Sequence, residues 1–137
     1  LAHTLTETAN HRNVGLVIET RPDDIDRDEL VWLRRLGVTK VQMGAQSLDD
    51  RILELNARGH SVAETHQAVR LLREAGFKIV LHWMPNLLGA TLDSDRADAA
   101  RLWQGQALPP LLSSFEPNAL VAARDAVPAL PRALLSA

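Results

Sequence analysis

The stretch VGLVIETRPDD, Val14 to Asp24, sets the strongest limit on what this chain can become. Val14, Leu16, Val17 and Ile18 are apolar with hardly any alternation, the pattern of a strand covered on both faces in a parallel sheet flanked by helices. The apolar run ends in an acid and a base, Glu19 and Arg21, and then in Pro22. In parallel α/β sheets ligands bind beyond the carboxyl ends of the strands, so polar residues at that end are candidates for chemistry.

The arrangement recurs along the chain. After Pro22, Asp26 with Glu29 three residues on predicts a reciprocal capping box. Leu30, Leu33 and Leu36 then make a helical stripe that Gly37 ends. Val38 to Met43 reads as a second strand, with Gly44, Ala45 and Gln46 at its carboxyl end. Ser47 or Asp49 opens a short helix with Ile52, Leu53 and Leu55 facing inward, and Ser61 with Glu64 begins another that closes at Gly76. Phe77 to Trp83 is a third strand, and MPNLLGAT, Met84 to Thr91, is a loop. A helix is expected from Asp93 to Trp103, and the end of one before about Asn10. The order β-α-β-α-α-β requires parallel strands joined by crossovers.

At 137 residues the chain has room for about one domain. Its 46% hydrophobic and 23% charged residues are globular values, and a net charge of −2 argues against general coating of nucleic acid. No apolar run reaches the roughly 18 residues of a spanning helix, and LAHTLTETANHR lacks the layout of a signal peptide, so no membrane partner and a cytoplasmic location are expected. With no cysteine, these residues form neither disulfides nor thiolate metal centres, and no metal ligand set is assigned. Residues 105–137 differ in character: Pro109, Pro110, Pro117, Pro128 and Pro131 lie in an Ala, Leu and Pro background. The reading is a partial barrel over 1–104 and a divergent tail over 105–137, with one short helix near Leu120 to Ala126.

Each strand end carries polar groups: Glu19 and Arg21, then Gln42 and Gln46, then His82 before Met84 and Pro85. Neighbouring parallel strands lie only about 5 Å apart, so such groups converge on one rim. Other readings stand beside this one. Glu19 and Arg21 also suit a salt bridge, Gln46 a turn, and His82 a hydrogen-bonded structural histidine. Spacing alone assigns no reaction.

The strings VGLVIETRPDD, LRRLGVTKVQMGAQSLDD, LNARGHS and LLREAGFKIVLHWMPNLLGAT resemble consecutive motifs of the elongator protein 3 family, the catalytic subunit of Elongator, in its radical S-adenosylmethionine domain. The resemblance covers about residues 10 to 100. It implies an α/β fold, a fragment of a partial (β/α) radical S-adenosylmethionine barrel with three parallel strands, and modification of the wobble uridine of tRNA. In that family a [4Fe-4S] cluster and S-adenosylmethionine act with an acetyltransferase domain that uses acetyl-CoA to install a carboxymethyl-type group. The resemblance places Glu19, Arg21, Gln46, His82, Met84 and Pro85 on the S-adenosylmethionine or substrate rim. It suggests Lys40, Arg51, Arg58 and His60 as a tRNA-facing group, for which a solvated charged face is the alternative.

Departures narrow the expectation. The family's three cluster cysteines lie upstream of these motifs, and without thiolates this chain alone binds no cluster. Leu88 stands where the family has proline before Gly89. The chain is therefore expected to be a fragment, with the remainder of the enzyme as a partner and open strand edges that favour self-association. A coproporphyrinogen dehydrogenase-like radical enzyme is one alternative. A cluster-free remnant that only binds tRNA or a partner is another.

Overall fold

The computed structural model describes residues 2–103, 111–114, 117–129 and 131–134. Contacts divide the chain into two compact units, Leu1–Met84 and Pro85–Ala137. The first holds α1 (Ala2–Thr8), β1 (Leu16–Thr20), a 3-10 turn (Pro22–Asp24), α2 (Arg27–Leu36), β2 (Val38–Gln46), α3 (Asp50–Leu55), α4 (Val62–Glu74) and β3 (Lys78–Trp83). Its sheet has the order β1-β2-β3, with both pairings parallel, as the crossover pattern predicts.

Helix boundaries follow local chemistry. Asp26 caps α2 by accepting from the Glu29 amide at 2.8 Å, but the expected return bond from the Glu29 side chain is not formed. The reciprocal box is complete at α4: the Glu64 amide donates to Ser61 Oγ, and the Ser61 amide donates to Glu64 Oε2 at 2.7 Å. Acids in the first turn of α2 and Arg34 and Arg35 in its last turn suit the helix dipole. Gly37 then takes the left-handed conformation, φ +86°, that stops the helix. Asp49, rather than Ser47, caps α3.

The core lies between one face of the sheet and the helices α2 and α4. Ile25, Leu30 and Leu33 meet Val38, Val41, Met43, Ala68, Leu71, Leu72 and Phe77, with Leu16, Ile18, Ile79 and Leu81 packed against them. Arg34 closes one margin, its guanidinium 3.9 Å from the centre of the Phe77 ring and bonded to the Ala75 carbonyl.

Two expectations need correction. The most deeply buried strand is β2, whose residues from Met43 to Gln46 are all buried. β1 instead alternates, with Leu16 and Ile18 turned to the core and Val17 and Glu19 exposed, because it is an edge of this sheet with helices on one side only. Val14, 91% exposed, precedes the strand. Leu55 is also exposed: it lies in the last turn of α3, away from the face that buries Ile52 and Leu53. Where β1 starts, an extra residue shifts the register, and the Thr39 hydroxyl satisfies both the amide and the carbonyl of Leu16, each at 3.2 Å.

The second unit contains α5 (Leu92–Trp103), β4 (Leu112–Ser114), α6 (Pro117–Ala126) and β5 (Arg132–Leu134). α5 and α6 match the two expected helices. β4 and β5 form a parallel pair the sequence reading lacks; the Pro-rich segment around 104–110 lies outside the described residues. Among those described, no helix is long and apolar enough to cross a membrane.

Candidate functional site

Side chains on the sheet face opposite α2 and α4 follow from the period of two. Val41 and Met43 point into the core, so Gln42 and Gly44 point away from it. Register then sets Glu19 beside Gln42, and His82 beside Gly44. His82 Nε2 lies 3.0 Å from Gln42 Oε1, a side-chain link across two strands. Glu19, Gln42 and His82 thus form a carboxylate, amide and imidazole row near the carboxyl end of the sheet. Lys40 shares this face nearer the strand starts, beside Lys78.

Beyond the row, the strand ends are tied together by backbone. Gln46 adopts φ +64° at the end of β2 and its carbonyl accepts from the Met84 amide at 2.9 Å, joining the exits of β2 and β3. The Gln46 side chain folds back over Gly44: a Cβ on Gly44 would sit 2.5 Å from Gln46 Nε2. A larger residue at 44 would have to displace the Gln46 amide from this position.

Arg21 does not pair with Glu19, as the salt-bridge reading had it. Its guanidinium makes a two-point bond to Asp23, at 3.0 and 2.8 Å, and donates to the Arg58 carbonyl at 3.2 Å. It therefore ties the exit of β1 to the loop after α3. Partial burial pushes the Asp23 carboxyl up, but the hydrogen bonds and charge of Arg21 outweigh it and hold Asp23 below its ordinary value. The same bond raises Arg21. Gly59, at φ +76°, passes so close to Arg21 that a Cβ would lie 2.7 Å from Nη2.

His60 is buried, 7% exposed, with Nε2 3.3 Å from the Ala45 carbonyl. Among the described residues, the buried side-chain atoms Gln46 Oε1, Arg58 Nε, His60 Nδ1 and Trp83 Nε1 have no hydrogen-bond partner. Buried polar atoms are almost always satisfied, so these atoms call for a water or a polar ligand as partner.

The rim residues named from the resemblance fall into three settings. Glu19 and His82 belong to the inner-face row; Gln46 and Met84 are joined through backbone at the strand exits; Arg21 holds the neighbouring loop. Pro85 begins the second unit and is exposed. The suggested tRNA-facing residues are spread over three environments: Lys40 on the sheet face, Arg51 exposed on α3, and Arg58 and His60 in the loop with His60 inside. A shallow depression of about 580 Å³ beside that loop carries the carboxylates of Asp50, Glu54 and Glu64, a poor setting for phosphates. Sequence reasoning missed the Gln42–His82 link and the orphaned Trp83 nitrogen, because both depend on interstrand register, which motif spacing does not supply.

An iron-sulfur cluster does not fit these residues, since they include no cysteine. Among the described residues no cluster of three or more His, Cys, Asp or Glu side chains is placed to hold a metal ion. The chemistry of the residues present is compatible with S-adenosylmethionine: Gln46 Oε1 and Arg58 Nε are an acceptor and a charged donor, both buried.

Comparison with known proteins agrees with this geometry. The Radical SAM superfamily profile matches residues 2–102. A tRNA uridine(34) acetyltransferase of Dehalococcoides mccartyi is 48% identical over 96 residues, covering 70% of this chain and 21% of that protein. Elongator complex protein 3 of Danio rerio is 31% identical over 105 residues, covering 77% of this chain and 19% of that protein. The solved structure of the archaeal Methanocaldococcus infernus Elp3 with an N-terminal deletion superposes with a TM-score of 0.73 at 37% identity, covering 80% of this chain and 26% of that one. The chain thus spans about a fifth of the length of the curated relatives it matches. With the parallel sheet, the polar strand ends and these matches in agreement, the chain belongs to the radical SAM superfamily and is similar within it to elongator protein 3.

Proposed function

We propose that this chain supplies the middle strands of a tRNA wobble-uridine modifying enzyme, and that the carboxyl ends of β1, β2 and β3 line its S-adenosylmethionine pocket. The orphaned pair Gln46 Oε1 and Arg58 Nε, buried beside Gly44, carries the reading. It offers an acceptor and a charged donor to one polar ligand, matching the amino and carboxylate chemistry of an amino-acid sulfonium. Glu19 and His82 lie on the neighbouring strands of the same sheet face, while Arg21 fixes the loop that presents Arg58. The cluster and the acetyl-CoA site of the family belong, in this reading, to parts of the enzyme other than these residues. tRNA is the macromolecular substrate in this reading, as the name tRNA uridine(34) acetyltransferase indicates for the Dehalococcoides mccartyi relative.

A chimera tests this. The matching segment of the Dehalococcoides mccartyi enzyme is replaced by residues 2–102 of this chain, and wobble-uridine modification is read by nucleoside mass spectrometry. The reading predicts modified uridine, lost in Gln46→Ala with tRNA binding retained. A folded, cluster-loaded chimera that binds tRNA but modifies nothing would overturn it in favour of a binding-only remnant.

A further inference from the structure

The Gln42–His82 link has a direction that the surrounding sheet determines. His82 is in register with Gly44, and its imidazole reaches diagonally to Gln42 on the adjacent strand. On its other side Gln42 is in register with Glu19, whose carboxylate only accepts hydrogen bonds. That field favours the amide NH₂ toward β1 and the amide oxygen toward β3. With Oε1 facing the ring at 3.0 Å, the imidazole nitrogen it meets must carry the proton.

We infer that Gln42 is a positioning residue that selects the Nε2–H tautomer of the His82 imidazole, leaving Nδ1 as a hydrogen-bond acceptor. Which ring nitrogen is protonated is set by the bond the other atoms make, so a neutral amide here does the work a carboxylate often does for histidine. The row then presents acceptors at both ends, the Glu19 carboxylate and His82 Nδ1. The matching ligand group is a hydroxyl or an N–H, and a phosphate or carboxylate oxygen is disfavoured at this point of the pocket. This ligand class rests on the pocket reading above; the tautomer does not.

The tautomer is read without ligand from long-range ¹H–¹⁵N spectra of the labelled full chain at about pH 8, above the usual imidazole range. His82 is assigned by the signal lost in His82→Gln. The expected pattern has Nε2 at a protonated shift and Nδ1 at an unprotonated one. In Gln42→Leu both nitrogens move toward averaged shifts, while Gln42→Glu, which keeps an acceptor, restores the wild-type pattern. A wild-type spectrum with Nδ1 protonated or with both nitrogens averaged overturns the inference, as does a folded Gln42→Leu indistinguishable from wild type. If Gln42→Leu does not fold, the wild-type and Gln42→Glu patterns decide. Addition of S-adenosylhomocysteine separates the two claims. A displaced Nδ1 signal supports the pocket, and an unmoved one with the tautomer intact removes the pocket while leaving Gln42 in its role.

Discussion

Replacing Gly59 with alanine strikes the contact through which Arg21 ties the exit of β1 to the loop after α3. Gly59 sits at φ +76°, where an L side chain costs roughly 1–2 kcal/mol. The new Cβ would lie 2.7 Å from Arg21 Nη2, so the guanidinium must withdraw and its bond to the Arg58 carbonyl is lost. A hydrogen bond of this kind contributes about 0.5–1.5 kcal/mol net. The two parts together give about 1.5–3.5 kcal/mol of destabilisation, measured as a shift in the urea midpoint. A double-mutant cycle separates them: in an Arg21→Ala background the same substitution should cost only the backbone share, about 1–2 kcal/mol. Ala57→Gly is the opposite control. Ala57 already has φ +50°, so relief of strain offsets the added chain entropy, and the change should stay within about 1 kcal/mol of neutral. A Gly59→Ala loss below about 0.5 kcal/mol, or an equal loss in both backgrounds, would refute the role given to Arg21.

Other expectations follow from the same structure. Leu72 is fully buried at the α4 and sheet contact, so Leu72→Ala should cost about 2–5 kcal/mol by urea titration. Hydrogen bonds from Ser61 hold Glu64 below the ordinary carboxyl value, and Asp23 is likewise lowered. The folded chain then binds fewer protons than the unfolded chain in acid. This stability is complete above the unfolded carboxyl range, about pH 4, and is lost as pH falls through the lower folded values. Urea midpoints should therefore drop on acidification and drop less in Glu64→Gln, which keeps the capping acceptor; a midpoint that rises in acid contradicts the assignment. Finally, the open edge of β1 with exposed Val17 should drive concentration-dependent association in sedimentation experiments, weakened by Val17→Lys. A chain that stays monomeric at high concentration with a sharp melt would count against this.

Local signals carried much of the fold. Ser61 with Glu64 announced α4, Gly37 ended α2, and three apolar runs separated by helices required a parallel sheet. Where the sequence misled, the deciding fact was tertiary. The apolar run at 14–18 resembles a doubly covered strand, but coverage depends on a strand's place in the sheet, and β1 lies at an edge while β2 lies at the centre. Leu55 fits an inward stripe until α3 ends beneath it. At the site, the motifs named Glu19, Arg21, Gln46 and His82 correctly as strand-end groups, yet their partners were hidden. Arg21 meets the Arg58 carbonyl, and His82 meets Gln42, because register and a returning loop bring together residues 37 and 40 positions apart.

The central claim is that the carboxyl ends of β1, β2 and β3 line one pocket for S-adenosylmethionine. Chemical-shift mapping of the ¹⁵N-labelled chain with S-adenosylhomocysteine tests it most directly, with weak binding of about millimolar Kd, near −4 kcal/mol, expected without a cluster. The account predicts shifts grouped at Glu19, Gly44 to Gln46, Arg58 to His60 and His82 to Met84, reduced by Gln46→Ala. Shifts confined to the α2 and α4 surface, or no shifts in a well-folded chain at ligand concentrations several times that Kd, would contradict it.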